Sequence, residues 1–116
     1  MPKRKLHPLP SAAFQILVAL AGEDLHGYAI MRQVREQTEG RMRLGPGTLY
    51  SSIRTLLEAK FIEEVDSRED PKLSKERRRY YRLTAAGRKL ARNEAERLAD
   101  LLRVARAKKI LRGQHV

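Results

Sequence analysis

Several things are missing from this 116-residue chain, and each absence removes a class of function. It has no cysteine, so disulfides, thiolate metal ligands and a cysteine nucleophile are excluded. Its three histidines, His7, His26 and His115, lie far apart in sequence, which argues against a histidine-rich metal site. Aromatic residues make up only 5%, too few for the stacked aromatic platform on which many RNA-binding sheets hold bases. No apolar run approaches the roughly 20 residues that span a bilayer. No phosphate loop, metal cluster or nucleophile–base set is recognisable, so no cofactor is called for and an enzyme has the least support.

Acidic residues are also few. Fourteen Asp and Glu face 25 Lys and Arg, a formal charge of +11. That excess favours a polyanionic partner: DNA, RNA or an anionic membrane surface. The 41% hydrophobic and 34% charged composition fits one small, folded, helix-rich domain with a modest core. Residues 1–22 superficially carry basic, apolar and small-residue zones like a signal peptide. Pro8 and Pro10 interrupt them, and Glu23-Asp24 follow without a convincing cleavage site. The expectation is a cytoplasmic protein with no membrane partner.

The spacing divides the chain into a flexible basic arm (1–10), a body (11–83) and a long C-terminal helix with a short tail (84–116). Lys3, Arg4 and Lys5 of the arm either follow a nucleic-acid backbone or merely solubilise. Ser11 is expected to cap a first helix running to about Ala21, with a buried stripe of Phe14, Leu17, Val18 and Ala21 widened by Ile16 and Leu20. A second helix is expected from His26-Gly27 to Gln37 or Thr38, stopped by Gly40. There His26 reads as a helix-start or packing residue, because no partner nucleophile or carboxylate is recognisable by spacing. Arg32, Arg35 and Glu36 read as solvent-facing.

The stretch LGPGTLYSSIRTLLEAK, residues 44–60, is the one the others serve. Gly45-Pro46-Gly47 signals a turn and suits a helix start. Leu49, Ile53, Leu56 and Leu57 then share one side. The opposite arc carries Gly47, Thr48, Tyr50, Ser51, Arg54 and Thr55. That arc is narrow, hydroxylated and singly basic, as a helix in a major groove requires, although an ordinary surface helix would look similar.

Beyond Lys60 the period shortens to that of strands. Residues 61–66 and 77–83 read as a β-hairpin around the charged loop 67–76. Tyr81 and Leu83 share one face of the returning strand; Arg78, Tyr80 and Arg82 share the other. Arg77, Arg78, Arg79 and Arg82, four arginines in six residues, suit a wing along a phosphate backbone, while pairing with Glu63, Glu64 and Glu76 would absorb part of that charge. Helix–turn–helix plus wing gives a mainly α fold with a small β-hairpin. Thr84 is expected to cap the final helix, which reaches about Leu111 and tolerates Gly87 at some cost. Ala91, Ala95, Leu98, Leu102 and Ala105 form a heptad-like seam, broadened by Leu90, Leu101 and Val104. Such a helix outreaches a core this small; a second copy is the economical cover, a return against the first helix is the alternative, and both can hold together.

Three segments resemble the PadR-type transcriptional regulators: HGYAIMRQV at 26–34, LGPGTLYSSIRTLLEAKFIEE at 44–64 and RRRYYRLTAAGRKLA at 77–91. The resemblance implies a winged helix-turn-helix with a C-terminal dimerisation helix, of the short type. It implies a homodimeric repressor on a palindromic operator in double-stranded DNA, and in some members release by a small-molecule effector. It places Thr48, Tyr50, Ser51 and Arg54 on the reading helix, and Lys72, Lys75 and Arg77 near the minor groove or phosphates. Side chains near Phe14, Tyr28 and the last helix would line an effector pocket at the dimer interface, or are simply core. Phe14, Ala91, Ala95, Leu98, Leu101, Leu102 and Ala105 are the expected dimer contacts. The basic charge leaves as the main alternative a non-specific nucleoid- or RNA-binding protein; a membrane-surface protein using the basic last helix has less support, because that helix carries a heptad seam rather than a bulky aromatic face.

Overall fold

The computed structural model describes residues 9–66 and 79–112. The basic arm up to residue 8 and the wing tip, with Lys72, Lys75, Arg77 and Arg78, lie outside them. The elements are α1 (Ser11–Leu20), β1 (Leu25–His26), α2 (Gly27–Gln37), α3 (Pro46–Glu58), β2 (Ile62–Asp66), β3 (Arg79–Leu83) and α4 (Ala85–Ala107).

The helix α1 is central, packing on α2, α3, α4 and β3. Ser11 is its first residue, not its cap. Pro10 holds the cap position in extended backbone, and its carbonyl accepts the Phe14 N–H at 3.0 Å. Proline pre-sets φ and has no N–H to leave unpaired, so the helix starts one residue earlier than a serine cap would place it. The core stripe is Ala13, Ile16, Leu17 and Leu20, with Ala19 beside it. It is turned by about one residue from the expected stripe: Phe14 is half-buried, Val18 and Ala21 exposed. A helix apolar nearly all round carries no period strong enough to choose its inner face.

The α3 stripe is as periodicity predicts, with Leu57 at its half-buried margin, whereas of the apolar residues expected to pack from α2, Tyr28, Ile30, Met31 and Val34, Met31 is only half-buried and Tyr28 is 61% exposed. Ile30 and Val34 of α2, and Leu49, Ile53 and Leu56 of α3, are buried together with Leu9, Leu25, Ile62 and Tyr81. His26 caps α2, its Nδ1 accepting the Ala29 N–H at 3.1 Å. The helix is stopped by Glu39 rather than by Gly40 alone. Glu39 takes the left-handed conformation (φ 54°), and the Glu39 and Gly40 N–H groups bond back to Glu36 and Arg35. Lys60 after α3 and Lys109 after α4 do the same, each at φ 66°. All three ends carry the paired back-bonds of a Schellman motif without glycine at its left-handed position.

The sheet has three strands, not the two of a hairpin, in the order β1-β3-β2 and antiparallel throughout. The β2–β3 register pairs Ile62 with Leu83 and Asp66 with Arg79. On the other edge Leu25 pairs with Tyr81 and His26 with Tyr80. A two-residue strand has no alternation to read, which is why it is silent in the sequence.

Thr84 joins sheet to α4. Its hydroxyl donates to the Lys60 carbonyl (2.8 Å) and accepts the Gly87 N–H (3.0 Å). Gly87 is required rather than tolerated: a Cβ there would collide with the Phe61 carbonyl oxygen and sit 2.9 Å from Leu83 Cδ1. The helix ends at Ala107, four residues short of Leu111, because Lys109 turns left-handed and its back-bonds close the end. Twenty-three residues still extend about 35 Å.

Candidate nucleic-acid interface

The helix α3 is held from one side only. With Leu49, Ile53 and Leu56 buried, its opposite arc faces outward: Gly47, Thr48, Tyr50, Ser51 and Arg54 are all exposed. Thr55 is half-buried and its hydroxyl donates to the Ser51 carbonyl at 3.1 Å. That bond uses the hydrogen Thr55 could otherwise offer to a ligand, so Thr55 is the weakest contact candidate on this arc. Arg54 forms no ion pair among the described residues and its guanidinium stands clear.

Tyr50 has a second attachment. A Cβ built on Gly27 would lie 2.5 Å from the Tyr50 hydroxyl oxygen and 3.1 Å from its Cζ. The ring tip therefore rests on the start of α2, where only glycine leaves room. Tyr50 is still 45% exposed; it braces the two helices and presents one edge outward. Spacing alone gives the outward face of Tyr50 but not this contact, because Gly27 is remote in sequence.

The arginines of the sheet are partly neutralised. Arg79 pairs with Glu64 at 3.2 Å across the two strands. Arg82 grips Asp24, Nε and Nη2 donating to Oδ2 at 3.2 and 2.9 Å; that hydrogen bond, then the Asp24 charge, push its pKa up. Tyr81 is buried on the face of β3 opposite Arg82, and its hydroxyl pKa is raised chiefly by burial and secondly by the Glu64 charge. So part of the wing charge is absorbed by its own sheet, as cross-strand pairing anticipates, and Arg79 and Arg82 are anchored rather than free.

Arg32 and Arg35, which read as solvent-facing in the sequence, meet Arg43 of the segment that leads into α3. Arg32, Arg35 and Arg43 border a groove of about 150 Å³ floored by Tyr28, Met31 and Leu44. Tyr28 opens into this groove, whose lining includes no residue of α1 or α4, so it does not join Phe14 in a shared pocket there. The i, i+3 spacing of Arg32 and Arg35 is visible in the sequence; what hides their convergence is the turn that brings Arg43 back beside them.

The expected dimer residues divide along α4. Ala91 and Leu90 pack against the core, as does the half-buried Phe14. Farther along, Leu98 and Ala105 are half-buried and Ala95 exposed, while Leu101 and Leu102 stand 56% and 51% exposed. Within this chain the distal seam is bare. Among the described residues no helix is long and apolar enough to cross a membrane.

Comparison with known proteins fits this geometry. The Transcriptional regulator PadR-like family matches residues 16–93. A transcriptional regulator from Clostridium thermocellum superposes with a TM-score of 0.68 at 27% identity, covering 83% of this chain and 87% of that one. A PadR family transcription regulator from hypervirulent Clostridium difficile gives 0.71 at 26% identity, covering 84% and 97%. An uncharacterized 37.1 kDa protein in a transposon from Streptomyces fradiae is 43% identical over 90 residues, 78% of this chain but 24% of that protein, so this chain spans about a quarter of its length. With the family match covering the body and the start of α4, and a winged helix-turn-helix in place, the chain belongs to the transcriptional regulator PadR-like family.

Proposed function

We propose that the protein is a sequence-specific repressor that binds a palindromic operator as a homodimer. The observation that carries this reading is α3: locked to the core by three buried residues, with Thr48, Ser51 and Arg54 on its open arc. Two such helices, related by a two-fold axis, enter successive major grooves about 34 Å apart. Arg54 and Ser51 read base edges, and Gly47, Thr48, Tyr50 and Thr55 shape the fit. The wing, with Lys72, Lys75, Arg77 and Arg78, follows the flanking backbone, and Arg79, held by Glu64, stands at its base. The bare seam of α4 and the outer side of Phe14 meet the same surfaces of a second copy, and a small effector entering near that seam would alter the spacing of the reading helices.

The test is a titration of the protein against its own upstream DNA and a scrambled duplex at two salt concentrations. A preference of about a thousand-fold at the higher salt is expected. Arg54→Ala should relax base preference, at a cost of about 1–3 kcal/mol on the operator alone, whereas Lys72→Ala should weaken all sequences alike. Equal affinity for both duplexes would instead favour a non-specific nucleic-acid-binding protein.

A further inference from the structure

Positive charge on this protein is of two kinds. Arg79, Arg82, Arg97 and Arg103 each hold a carboxylate, from Glu64, Asp24, Glu94 and Asp100. Arg32, Arg35 and Arg43 hold none among the described residues, yet they converge on a single groove. Arg32 and Arg35 are one turn apart on α2, so their side chains leave the same face. Arg32 is further fixed with its guanidinium carbon 5.5 Å from the Tyr28 ring centroid, an arrangement that favours the cation and orients its donors. Three like charges around one concavity repel one another, and the repulsion is relieved by an anion.

Size and place identify the anion. At about 150 Å³ the groove is smaller than the roughly 300–1,000 Å³ of sites that enclose small molecules. It has room for a tetrahedral oxyanion, and guanidinium forks match phosphate oxygens in pairs. Arg43 and Leu44 directly precede Gly45, the N-cap of α3, so the groove adjoins the end of the reading helix that meets base edges. In helix-turn-helix complexes the helix before the reader crosses the DNA backbone.

We propose that the Tyr28–Arg32–Arg35–Arg43 groove clamps one backbone phosphodiester beside the major groove that α3 enters. The inference rests on the DNA-binding reading above. It adds a second contact element, which sets affinity and salt dependence but reads no base. The clamp also fixes how deeply α3 sits, because Leu44 and Arg43 belong to the same short segment that positions its first turn.

The test uses the full chain and the same two duplexes over 50–200 mM salt. Arg32→Gln/Arg35→Gln is compared with the charge-matched Arg97→Gln/Arg103→Gln, and Arg43→Gln provides a second probe from the loop. The groove double variant should lose about tenfold on both duplexes, keep the operator-to-scrambled ratio, and show a log affinity–log salt slope shallower by about 0.9, the value for one phosphate. The charge-matched control should keep the slope. Neutral methylphosphonate linkages stepped along the operator should reveal one position that weakens the wild type but not the groove variant. A groove variant indistinguishable from the control, or the absence of any such position, overturns the clamp while leaving the DNA reading intact, provided that Arg54→Ala still relaxes preference. If wild type binds neither duplex, both fall. Thermal melting of each variant verifies that the fold is kept.

Discussion

The helices α3 and α4 are built from similar material and finished in opposite ways. Each is amphipathic and each ends on a lysine at φ 66°. In α3 the apolar side is covered by this chain, with Leu49, Ile53 and Leu56 buried and Leu57 half-buried, and the open arc is polar apart from the Tyr50 ring. In α4 Gly87 is the only buried residue, and Leu101, Leu102 and Val104 stand about half exposed. Bare polar surface is compatible with water and awaits a hydrogen-bonding or charged partner. Bare aliphatic surface is not, and awaits another apolar face. One chain thus carries two unfinished surfaces, whose chemistries select different partners.

The largest expected effect comes from truncating the two aliphatic faces. Leu56→Ala in α3 should cost about 3 kcal/mol in urea unfolding, the usual result of a cavity in a closed core. Leu102→Ala should change the dilute monomer by less than about 0.5 kcal/mol. If a second copy covers the seam, the effect of Leu102→Ala must instead grow with protein concentration, because assembly stabilises only the folded state. Equal losses at all concentrations for both variants would dissolve the contrast.

A pair of glycines sharpens it next. At the root of α4, Gly87→Ala should cost about 2 kcal/mol or more, since the new methyl meets a backbone carbonyl that cannot swing away. On the open arc of α3, a methyl group added to Gly47 would meet nothing within 4 Å, so Gly47→Ala should gain about 0.5 kcal/mol of helix stability. Differential scanning calorimetry of both variants reads opposite signs. The DNA affinity of Gly47→Ala then reports separately whether that arc needs a glycine for close approach.

The fate of these glycines shows what a sequence can carry. Gly87 looks like a weak point because the Phe61 carbonyl that demands it comes from another element, brought near by the sheet. The same limit hides β1, whose two residues gain their meaning only from pairing with β3, and the groove, whose third arginine arrives through a turn. It also hides the inner face of α1, where apolar residues on nearly every side leave the choice to its neighbours. What is legible is periodic or capped. The stripe of α3, Ile30 and Val34 of α2, the outward arc bearing Thr48, Ser51 and Arg54, the Thr84 cap and the Tyr81 face of β3 all follow from spacing. The candidate interface is therefore readable as a face of one helix, and unreadable wherever two segments have to meet.

The matched lysines give a smaller test. Lys60→Gly should raise stability by about 1 kcal/mol, since a left-handed backbone strains any residue with a Cβ and the end of α3 unfolds with the core. Lys109→Gly relieves the same strain at the far end of α4, beyond the segment packed on the body. There it should leave the calorimetric midpoint of the monomer unchanged, unless the seam is covered and the end becomes part of a cooperative unit.

The smallest effect concerns pH. Tyr81 is 4% exposed, and burial first, then the Glu64 charge, with a smaller push from Tyr50 of α3, raise its hydroxyl pKa above the ordinary value. The neutral phenol is thus favoured in the folded state relative to the unfolded one. Its contribution is fully present below about pH 10, the unfolded value, and is lost as pH climbs through the raised folded value, because unfolding then releases a proton. Tyr81→Phe should flatten this alkaline limb, and Glu64→Gln should shift it slightly toward lower pH. Among the described residues α4 buries no titratable side chain, so Arg97→Gln should leave the limb in place. A limb that moved with Arg97 and not with Tyr81 would put the alkaline sensitivity on α4, reversing which of the two helices is tied to the closed core.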